Sequence, residues 1–318
     1  MNNVANLVAK CRGNAKAPVI AVAGSTGYIG GLLCKRLRED GQEVRALARR
    51  PERADDLALA GCDVVQADVL DRPSLDSALA GVEVAYYLVH SMGRGSGGGD
   101  FAGRDIQGAE NFAAAAAGAG VRRIVYLGGL GEGSEHLASR HATAQALRSG
   151  PVPVAYFRAA AVIGAGSESF LTVFYLVRRL PVMITPRWVT TKTQPIAVGD
   201  AVSLLAAAAD LSLPVDREIQ IGGPDVTTYG GMIDELAVAL GRRPPRRIVV
   251  PVLTPALSSL WIGLVTPVDA GVARPLIEGL AAETVVEDPS GMRLFEEVPL
   301  TPLSQALREA AADVPVRL

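Results

Sequence analysis

Residues 18–31 read PVIAVAGSTGYIGG, and this stretch decides the fold of the chain. Its first half is a short apolar run, which is typical of a buried strand in a parallel sheet. Its second half places Gly24, Gly27 and Gly30 in the spacing GxxGxxG, directly before a helical pattern. Glycines in such a turn let backbone amides approach a pyrophosphate, and the helix N-terminus adds positive partial charge. The stretch therefore predicts a dinucleotide-binding turn, whose further cofactor-contacting candidates are Thr26, Tyr28 and Ile29.

Strand and helix patterns alternate outward from this turn through the first half of the chain. Apolar runs predict further strands over 43–48, 62–68, 82–89, 122–128 and 152–160. Helical patterns predict helices over 28–40, 52–60, 73–80, 101–120 and 136–149. Strands that alternate with helices form a parallel sheet with both faces covered. We therefore expect an α/β fold with a doubly wound parallel Rossmann sheet.

The second half of the chain is less regular. Strands are predicted over 194–198 and 217–223, and helices over 200–209, 228–240, 255–265, 270–281 and 301–312. These patterns indicate a smaller, mainly helical C-terminal region that binds the substrate. We expect a tail over 1–17, a cofactor-binding domain over 18–160 and a substrate-binding region over 161–318, with 194–223 returning to the sheet.

Composition narrows the class of protein. The formal net charge of −2 gives no electrostatic reason to expect nucleic acid or an anionic membrane surface as a partner. Cys11, Cys34 and Cys62 lack metal-ligand spacing, so no metal site is expected, and their unpaired pattern favours a reducing cytoplasm. Residues 1–17 lack the sustained apolar region of a signal peptide. We expect a cytoplasmic protein, with homo-oligomers left open.

One segment raises the question of a membrane span. Residues 248–268 carry no charge and are long enough to cross a bilayer. Pro251, Pro255 and Pro267 interrupt the segment, and an internal proline removes a helix hydrogen bond. The pattern favours a buried wall or a pocket lining over a span.

The end of the second predicted strand distinguishes between two dinucleotides. An NAD-binding protein usually places an acidic residue there to hold the ribose hydroxyls. Residues 47–53 read LARRPER instead, with Arg49 and Arg50 where the acid is expected. Guanidinium groups suit a 2′-phosphate. NADP(H) is therefore the expected cofactor, and the alternative is that these arginines only solvate the strand end.

With these motifs in place, the chain resembles the short-chain dehydrogenase/reductase superfamily, in the extended and atypical branch that includes NmrA-like NAD(P)H-binding proteins. VQADVLD (65–71) is similar to the end of the family's third strand, which implies that the Asp68 side chain and the Val69 backbone contact adenine. Similar family landmarks occur at 194–202, 221–237 and 254–280. The resemblance covers roughly residues 18–315 and is strongest in the cofactor half.

The same resemblance shows an altered active site. Ordinary members carry a Ser or Thr after the fifth strand and a YxxxK pair on the next helix, whose tyrosine is the general acid. Here Gly128 and Gly129 stand where the hydroxyl is expected. Alignment of SRHATAQ (139–145) puts Arg140 at the lysine and His136 at the tyrosine. His136 is a candidate acid, Arg140 a candidate ribose ligand, and the alternative is that His136 has no chemical role.

His90 is a third catalytic candidate, because it closes the fourth predicted strand at the edge of the sheet where ligands bind. His141, next to Arg140, is expected to lack a chemical role. Apolar and aromatic stretches over 170–186 and 248–268 imply a hydrophobic small-molecule substrate, unless they only pack a core. These features favour an NADP(H)-dependent oxidoreductase. A regulatory protein that senses NADP(H), and a non-redox epimerase or cyclase, are the alternatives.

Overall fold

The computed structural model describes residues 18–90, 101–185, 187–249 and 282–315, except for the side chains of Phe101, His136, Arg187, Trp188 and Val249. The strands in chain order are Val19–Ala23 (β1), Glu43–Ala48 (β2), Asp63–Gln66 (β3), Val84–Tyr87 (β4), Arg123–Gly129 (β5), Val154–Ala159 (β6), Val162–Ile163 (β7), Val182–Thr185 (β8), Lys192–Thr193 (β9), Ile196–Ala197 (β10), Glu218–Ile221 (β11), Thr227–Thr228 (β12) and Arg246–Val249 (β13). The α-helices are Tyr28–Glu39 (α1), Asp55–Leu59 (α2), Arg72–Ala78 (α3), Phe101–Gly118 (α4), Glu135–Arg148 (α5), Glu168–Arg179 (α6), Val198–Ala207 (α7), Tyr229–Ala239 (α8) and Leu303–Asp313 (α9).

Seven parallel strands form the central sheet, in the order β11-β6-β5-β4-β1-β2-β3. Strand β1 pairs with β2 on one side and with β4 on the other, so the strand order reverses at β1. In open α/β sheets, ligands bind at the carboxyl ends of the strands beside such a reversal. The predicted α/β Rossmann fold is confirmed, and its glycine turn follows the strand at the reversal.

Helices bury both faces of this sheet because its inner strands are apolar on both sides. On one face, Leu33 and Leu37 of α1 pack in one core cluster with Leu204 and Leu205 of α7. On the other face, a second cluster includes side chains of α3, α4 and α5. Tyr86, Tyr87 and Tyr126 are buried in the sheet, whereas Cys34 is buried on α1 and Cys62 directly before β3.

A third core lies in the C-terminal half and is formed largely by α6, α8 and α9. Phe170 and Phe174 of α6 are buried there with Leu236 and Leu307. Small strand pairs surround this core: β10 with β7, β12 with β9 and β13 with β8. The sequence patterns predict neither α6 nor the β8–β13 pair, because an apolar run such as 170–186 does not by itself distinguish helix from strand.

Several predicted elements differ from those observed. The helix predicted over 52–60 is a 3₁₀ turn, Pro51–Arg53, followed after Ala54 by the short α2. The tail over 1–17 and the helices predicted over 255–265 and 270–281 lie outside the described residues. The same holds for residues 250–268 of the apolar segment. Within the described ranges, no helix is both long enough and apolar enough to cross a membrane.

Candidate active site

The glycine turn between β1 and α1 has the geometry of a phosphate cradle. Gly24 has φ +83°, and a Cβ there would lie 2.6 Å from the carbonyl oxygen of Leu88. A Cβ at Gly30 would overlap the carbonyl of Gly24, so the helix start can lie directly on the turn only with glycine. Ser25 is fully buried and its hydroxyl donates to the Leu47 carbonyl at 2.8 Å, which fixes the turn to the end of β2.

A cavity of about 1080 Å³ opens at the carboxyl ends of the strands above this turn. Its walls include most of the site residues that the sequence predicts, namely Gly24, Thr26, Gly27, Tyr28, Ile29, Gly30, Arg49, Asp68, Val69, His90 and Arg140. The cavity thus brings the glycine turn, the acidic strand-three end and two of the three catalytic candidates to one surface. A dinucleotide fits the character of these residues, since backbone amides at a helix N-terminus face one section and polar side chains line the rest.

A smaller cavity of about 360 Å³ adjoins the end of β2. Its lining consists of Thr26, Arg49, Arg50, Arg53 and Asp68. Arg53 was not among the sequence candidates, although it stands in the same LARRPER stretch. The turn Pro51–Arg53 brings its side chain back beside the other two arginines. Three guanidinium groups around one small cavity make a site for a phosphate group.

Asp68 and Val69 lie beside this cluster at the end of β3. The Asp68 carboxylate accepts a hydrogen bond from its own turn, from the Leu70 amide at 3.0 Å. Asn111 of α4 donates to the Val69 carbonyl at 3.0 Å, which fixes the backbone of the same turn. These bonds hold the turn in place at the rim where the resemblance predicts adenine.

His90 faces Asp105 of α4 inside the large cavity. Nδ1 of His90 lies 3.3 Å from Oδ2 of Asp105, and both side chains are largely buried. Burial lowers the pKa of His90 below its usual range and the positive charge of Arg140 lowers it further, whereas the Asp105 carboxylate opposes both effects. His90 is therefore neutral near pH 7, and Asp105 orients its ring. Asp105 was missed in the sequence, since an alanine-rich helix gives little sign of which polar residue turns inward.

Arg140 of α5 reaches back to the end of β5. Its guanidinium donates to the Leu127 carbonyl at 3.2 Å, and the Tyr126 hydroxyl donates to the Arg140 carbonyl at 3.2 Å. Helix α5 begins at Glu135 with the hydroxyl of Ser134 as its N-cap, accepting from the Leu137 amide. His136 lies in the first turn of this helix, but its side chain is outside the described part of the structure.

Steric contacts explain why glycines stand at the end of β5 in place of the usual hydroxyl-bearing residue. A Cβ at Gly128 would lie 2.7 Å from the ring of Tyr156, and a Cβ at Gly129 would lie 2.5 Å from Leu137. Tyr156 and Leu137 therefore occupy the space that a serine or threonine side chain would need. The end of β5 contributes backbone, and no hydroxyl side chain, to the cavity.

His141 lies behind this wall and does not line the cavity. Its Nδ1 is 3.1 Å from the Tyr156 hydroxyl, and its Nε2 is 3.2 Å from the guanidinium of Arg158. Arg158 is buried, pairs with Glu218 at 2.6 Å and donates to the carbonyls of Gly129 and Gly131. The second histidine of the helix thus faces the sheet and belongs to a network that holds the β5–α5 turn.

The far end of the cavity mixes apolar and hydroxyl groups. Its lining includes Leu130, Leu137, Ala160, Val162, Ser167, Glu168, Ser169, Thr172, Val173, Tyr229, Met232 and Thr284. Burial raises the pKa of Tyr229, and hydrogen bonds with Thr284 and Thr193 oppose that rise. Many of these residues follow β6 or belong to α6, which sequence patterns did not predict. Among the described residues, no group of His, Cys, Asp and Glu is arranged to hold a metal ion.

Fold and cavity together define a protein with a dinucleotide-binding domain at the carboxyl edge of a Rossmann sheet. Residues 24–173 match the family model described as NAD(P)H-binding, so the chain contains an NAD(P)H-binding domain. The predicted resemblance is confirmed as far as an NAD(P)H-binding domain on a Rossmann sheet.

The chain is similar to several reductases. It is 32% identical over 133 residues to cinnamoyl-CoA reductase 1 of Oryza sativa subsp. japonica, covering 40% of this chain and 38% of the relative. It is 29% identical over 296 residues to ceramide reductase of Caulobacter vibrioides, covering 88% and 89% of the two chains. It is 38% identical over 109 residues to (4-alkanoyl-5-oxo-2,5-dihydrofuran-3-yl)methyl phosphate reductase of Streptomyces griseus subsp. griseus. This match and the match to cinnamoyl-CoA reductase 1 each span little more than a third of the relative's length.

Among solved structures, the triphenylmethane reductase of Citrobacter sp. complexed with NADP(H) is similar in fold. The TM-score is 0.70 at 23% sequence identity, with 92% of this chain and 99% of that chain covered. An identity this low establishes the common fold and nothing about the substrate.

Proposed function

We propose that this protein is an NADP(H)-dependent reductase acting on a carbonyl or enone group of a mostly apolar small molecule. One observation carries the proposal: a single cavity is lined by the glycine turn and Arg49, by His90 and Arg140, and by a further set of apolar and polar side chains from α6 and its neighbours. A cavity of this shape holds a dinucleotide and a second small molecule end to end.

The cofactor preference follows from the arginine-lined cavity. Arg49, Arg50 and Arg53 surround a space beside Thr26 and Asp68, at the strand end where ribose hydroxyls are recognised. Charge-assisted hydrogen bonds from guanidinium groups to a phosphate are about twice as strong as neutral ones. The 2′-phosphate that distinguishes NADPH from NADH supplies that partner.

Each residue near the reacting end has a specific role. NADPH, when bound, supplies a hydride, so the chain must supply a proton to the reduced oxygen. Arg140, held by the Leu127 carbonyl, binds ribose hydroxyls and contributes positive charge beside a developing oxyanion. His136, from the sequence alignment, donates the proton, or His90 does so after it has itself taken up a proton. Neutral His90 directs Nδ1 to Asp105 and leaves Nε2 as an acceptor, so it must be protonated before it can act as the acid. The far end receives the substrate, whose apolar part lies against apolar side chains such as Leu130, Val173 and Met232.

A second candidate function is a regulatory protein that binds NADP(H) without turnover. The observation in its favour is the steric exclusion of a hydroxyl side chain at Gly128 and Gly129. Without that hydroxyl and without the usual tyrosine, a site retains cofactor affinity and loses part of its catalytic apparatus.

Oxidation of NADPH by the purified protein with a panel of apolar aldehydes, ketones and enones tests the two candidates. Substrate-dependent turnover supports the reductase; NADPH binding with no turnover across the panel supports the regulatory protein. His136→Phe and His90→Asn then identify the donor, because loss of a general acid lowers turnover by about 10²–10⁴-fold at little cost to NADPH affinity. Arg140→Ala weakens NADPH binding itself, since the ribose contact exists in the ground state.

A further inference from the structure

The small parallel sheet formed by β8 and β13 presents an apolar outer face. Val182 pairs with Arg246 and Ile184 pairs with Ile248 in its register. Val182 is 46% exposed, Ile184 is 50% exposed and Ile248 is 57% exposed. Between them, Met183 is buried and Arg247 turns inward to Asp234 at 2.6 Å. The alternation thus separates a core face from an outer face, and the outer face is apolar where solvent favours polar groups.

Arginines are frequent on the two segments that form this outer face. Residues 176–185 read LVRRLPVMIT and residues 240–249 read LGRRPPRRIV, which together contain six arginines and no carboxylate. Arg242 donates to the Arg178 carbonyl at 2.6 Å, so the end of α6 and the segment before β13 lie side by side. Arg179, Arg242, Arg243 and Arg246 are exposed. We call Val182, Ile184, Ile248 and these arginines the basic face.

We propose that the basic face is a docking surface for an anionic lipid membrane. Exposed apolar side chains together with exposed arginines match the two layers of a membrane interface, the acyl boundary and the phosphate headgroups. A second copy of the chain is disfavoured as the occupant, because arginines would face arginines across the interface. The formal net charge of −2 gave no reason to expect a membrane partner. That sum covers the whole chain, so it does not reveal a local cluster of arginines.

Two further observations fit an interfacial mode of binding. The sequence continues from Ile248 to 268 without a charged residue, so the apolar edge leads into an uncharged stretch. Helix α6, 12 residues long, starts at the cavity with Glu168, Ser169 and Thr172 and ends at Arg178 and Arg179. Such a helix is about 18 Å long, so the docking surface lies one helix length from the substrate end. The proposal stands independently of the reductase assignment.

Co-sedimentation of the full chain with lipid vesicles tests this proposal. The probes are vesicles of equal parts phosphatidylcholine and phosphatidylglycerol, and vesicles of phosphatidylcholine alone, each at low and high salt. We expect binding to the anionic vesicles that weakens with salt, and little binding to the neutral ones. Arg242→Ala/Arg243→Ala lowers the partition coefficient by about five-fold for each arginine. Arg179→Ala/Arg246→Ala, which removes two other arginines of the basic face, gives a similar loss should the first variant fold poorly.

Matched controls distinguish an effect of the basic face on vesicle binding from a general effect of charge or of exposed apolar side chains. Arg72→Ala/Arg122→Ala removes the same charge elsewhere, and Leu59→Ser removes an apolar side chain that is 89% exposed; both should bind vesicles like the wild type. Ile184→Ser/Ile248→Ser should weaken vesicle binding with NADPH affinity unchanged. Equal binding to both kinds of vesicle, or none to either, overturns the proposal. The proposal is also overturned if the basic-face variants still bind vesicles but lose self-association, or lose binding to a DNA duplex, that the wild type shows.

Discussion

Nδ1 of His90, at the end of β4, lies 3.3 Å from Oδ2 of Asp105 on α4. This pair connects the sheet edge to the helix that covers it, and it does so inside the cavity that holds the glycine turn. Because the carboxylate orients the ring while burial and Arg140 keep it neutral, His90 has a fixed tautomer and a pKa below its usual range.

The lowered pKa of His90 makes stability depend on pH. The His90 side chain binds a proton near pH 6.5 in the unfolded state and only at a lower pH in the folded state. The free energy of unfolding is therefore highest above about pH 6.5 and declines as pH falls through the folded pKa. His90→Asn should flatten this decline. Urea unfolding of both proteins at pH 7.5 and at about pH 5.5 checks the sign. If the free energy of unfolding changed by the same amount between the two pH values in the wild type and in the variant, the prediction would be wrong. Carboxylates titrate in both proteins, so their contribution cancels in this comparison.

Tyr28 connects the glycine turn to the turn that leads into α6. Its ring lies against Gly166, where a Cβ would be 2.8 Å from the ring carbon Cγ, and its hydroxyl lies against Gly164. Gly166→Ala should therefore destabilise the protein by about 1–3 kcal/mol through overpacking. Gly199→Ala is the matched control, since nothing lies within 4 Å of its Cβ, and it should be neutral or stabilising by up to about 1 kcal/mol.

A double-mutant cycle isolates that contact. Tyr28→Ala removes the ring, so Gly166→Ala should cost much less free energy of unfolding in that background. Additive effects of the two substitutions would show that the ring does not determine the need for glycine.

The network around Arg158 should contribute far more to stability than an exposed ion pair. Arg158 is 8% exposed, and its removal takes a guanidinium donor from the buried carbonyls of Gly129 and Gly131 and a partner from Glu218. Arg158→Met is expected to lower the free energy of unfolding by on the order of 3 kcal/mol. Arg122, paired with Glu83 at the surface, gives the control: Arg122→Met should change it by about 0–1 kcal/mol. Similar losses in the two variants would rule out a structural role for the buried network.

The sequence predicted the cofactor half well because its signals are local. A glycine turn needs only its own spacing between a strand and a helix, and strand–helix alternation then implies the sheet. Arg53 was missed but could have been predicted in the same way, because Pro51 starts a turn that brings the Arg53 side chain back toward Arg49. His90 was found because the end of a parallel strand is itself a position on the binding edge.

The remaining features depend on which residues the fold brings together. Asp105 becomes part of the site only because α4 crosses the end of β4, and no spacing in the sequence encodes that crossing. Helix α6 escaped prediction because its apolar residues fit both periods before its partners α8 and α9 are known. The orientation of His141 toward the sheet depends likewise on Tyr156 and Arg158, which approach from β6.

The most direct test of the account compares the dissociation constants of NADPH and NADH, measured by titration calorimetry, for the wild type and for Arg49→Ala/Arg50→Ala. Arg122→Ala serves as the charge-matched control. We predict that the wild type prefers NADPH. The double variant should lose about 1.5–3 kcal/mol of NADPH binding for each charge-assisted contact removed, with NADH affinity unchanged. Equal losses for both cofactors, or a wild-type preference for NADH, would contradict the account.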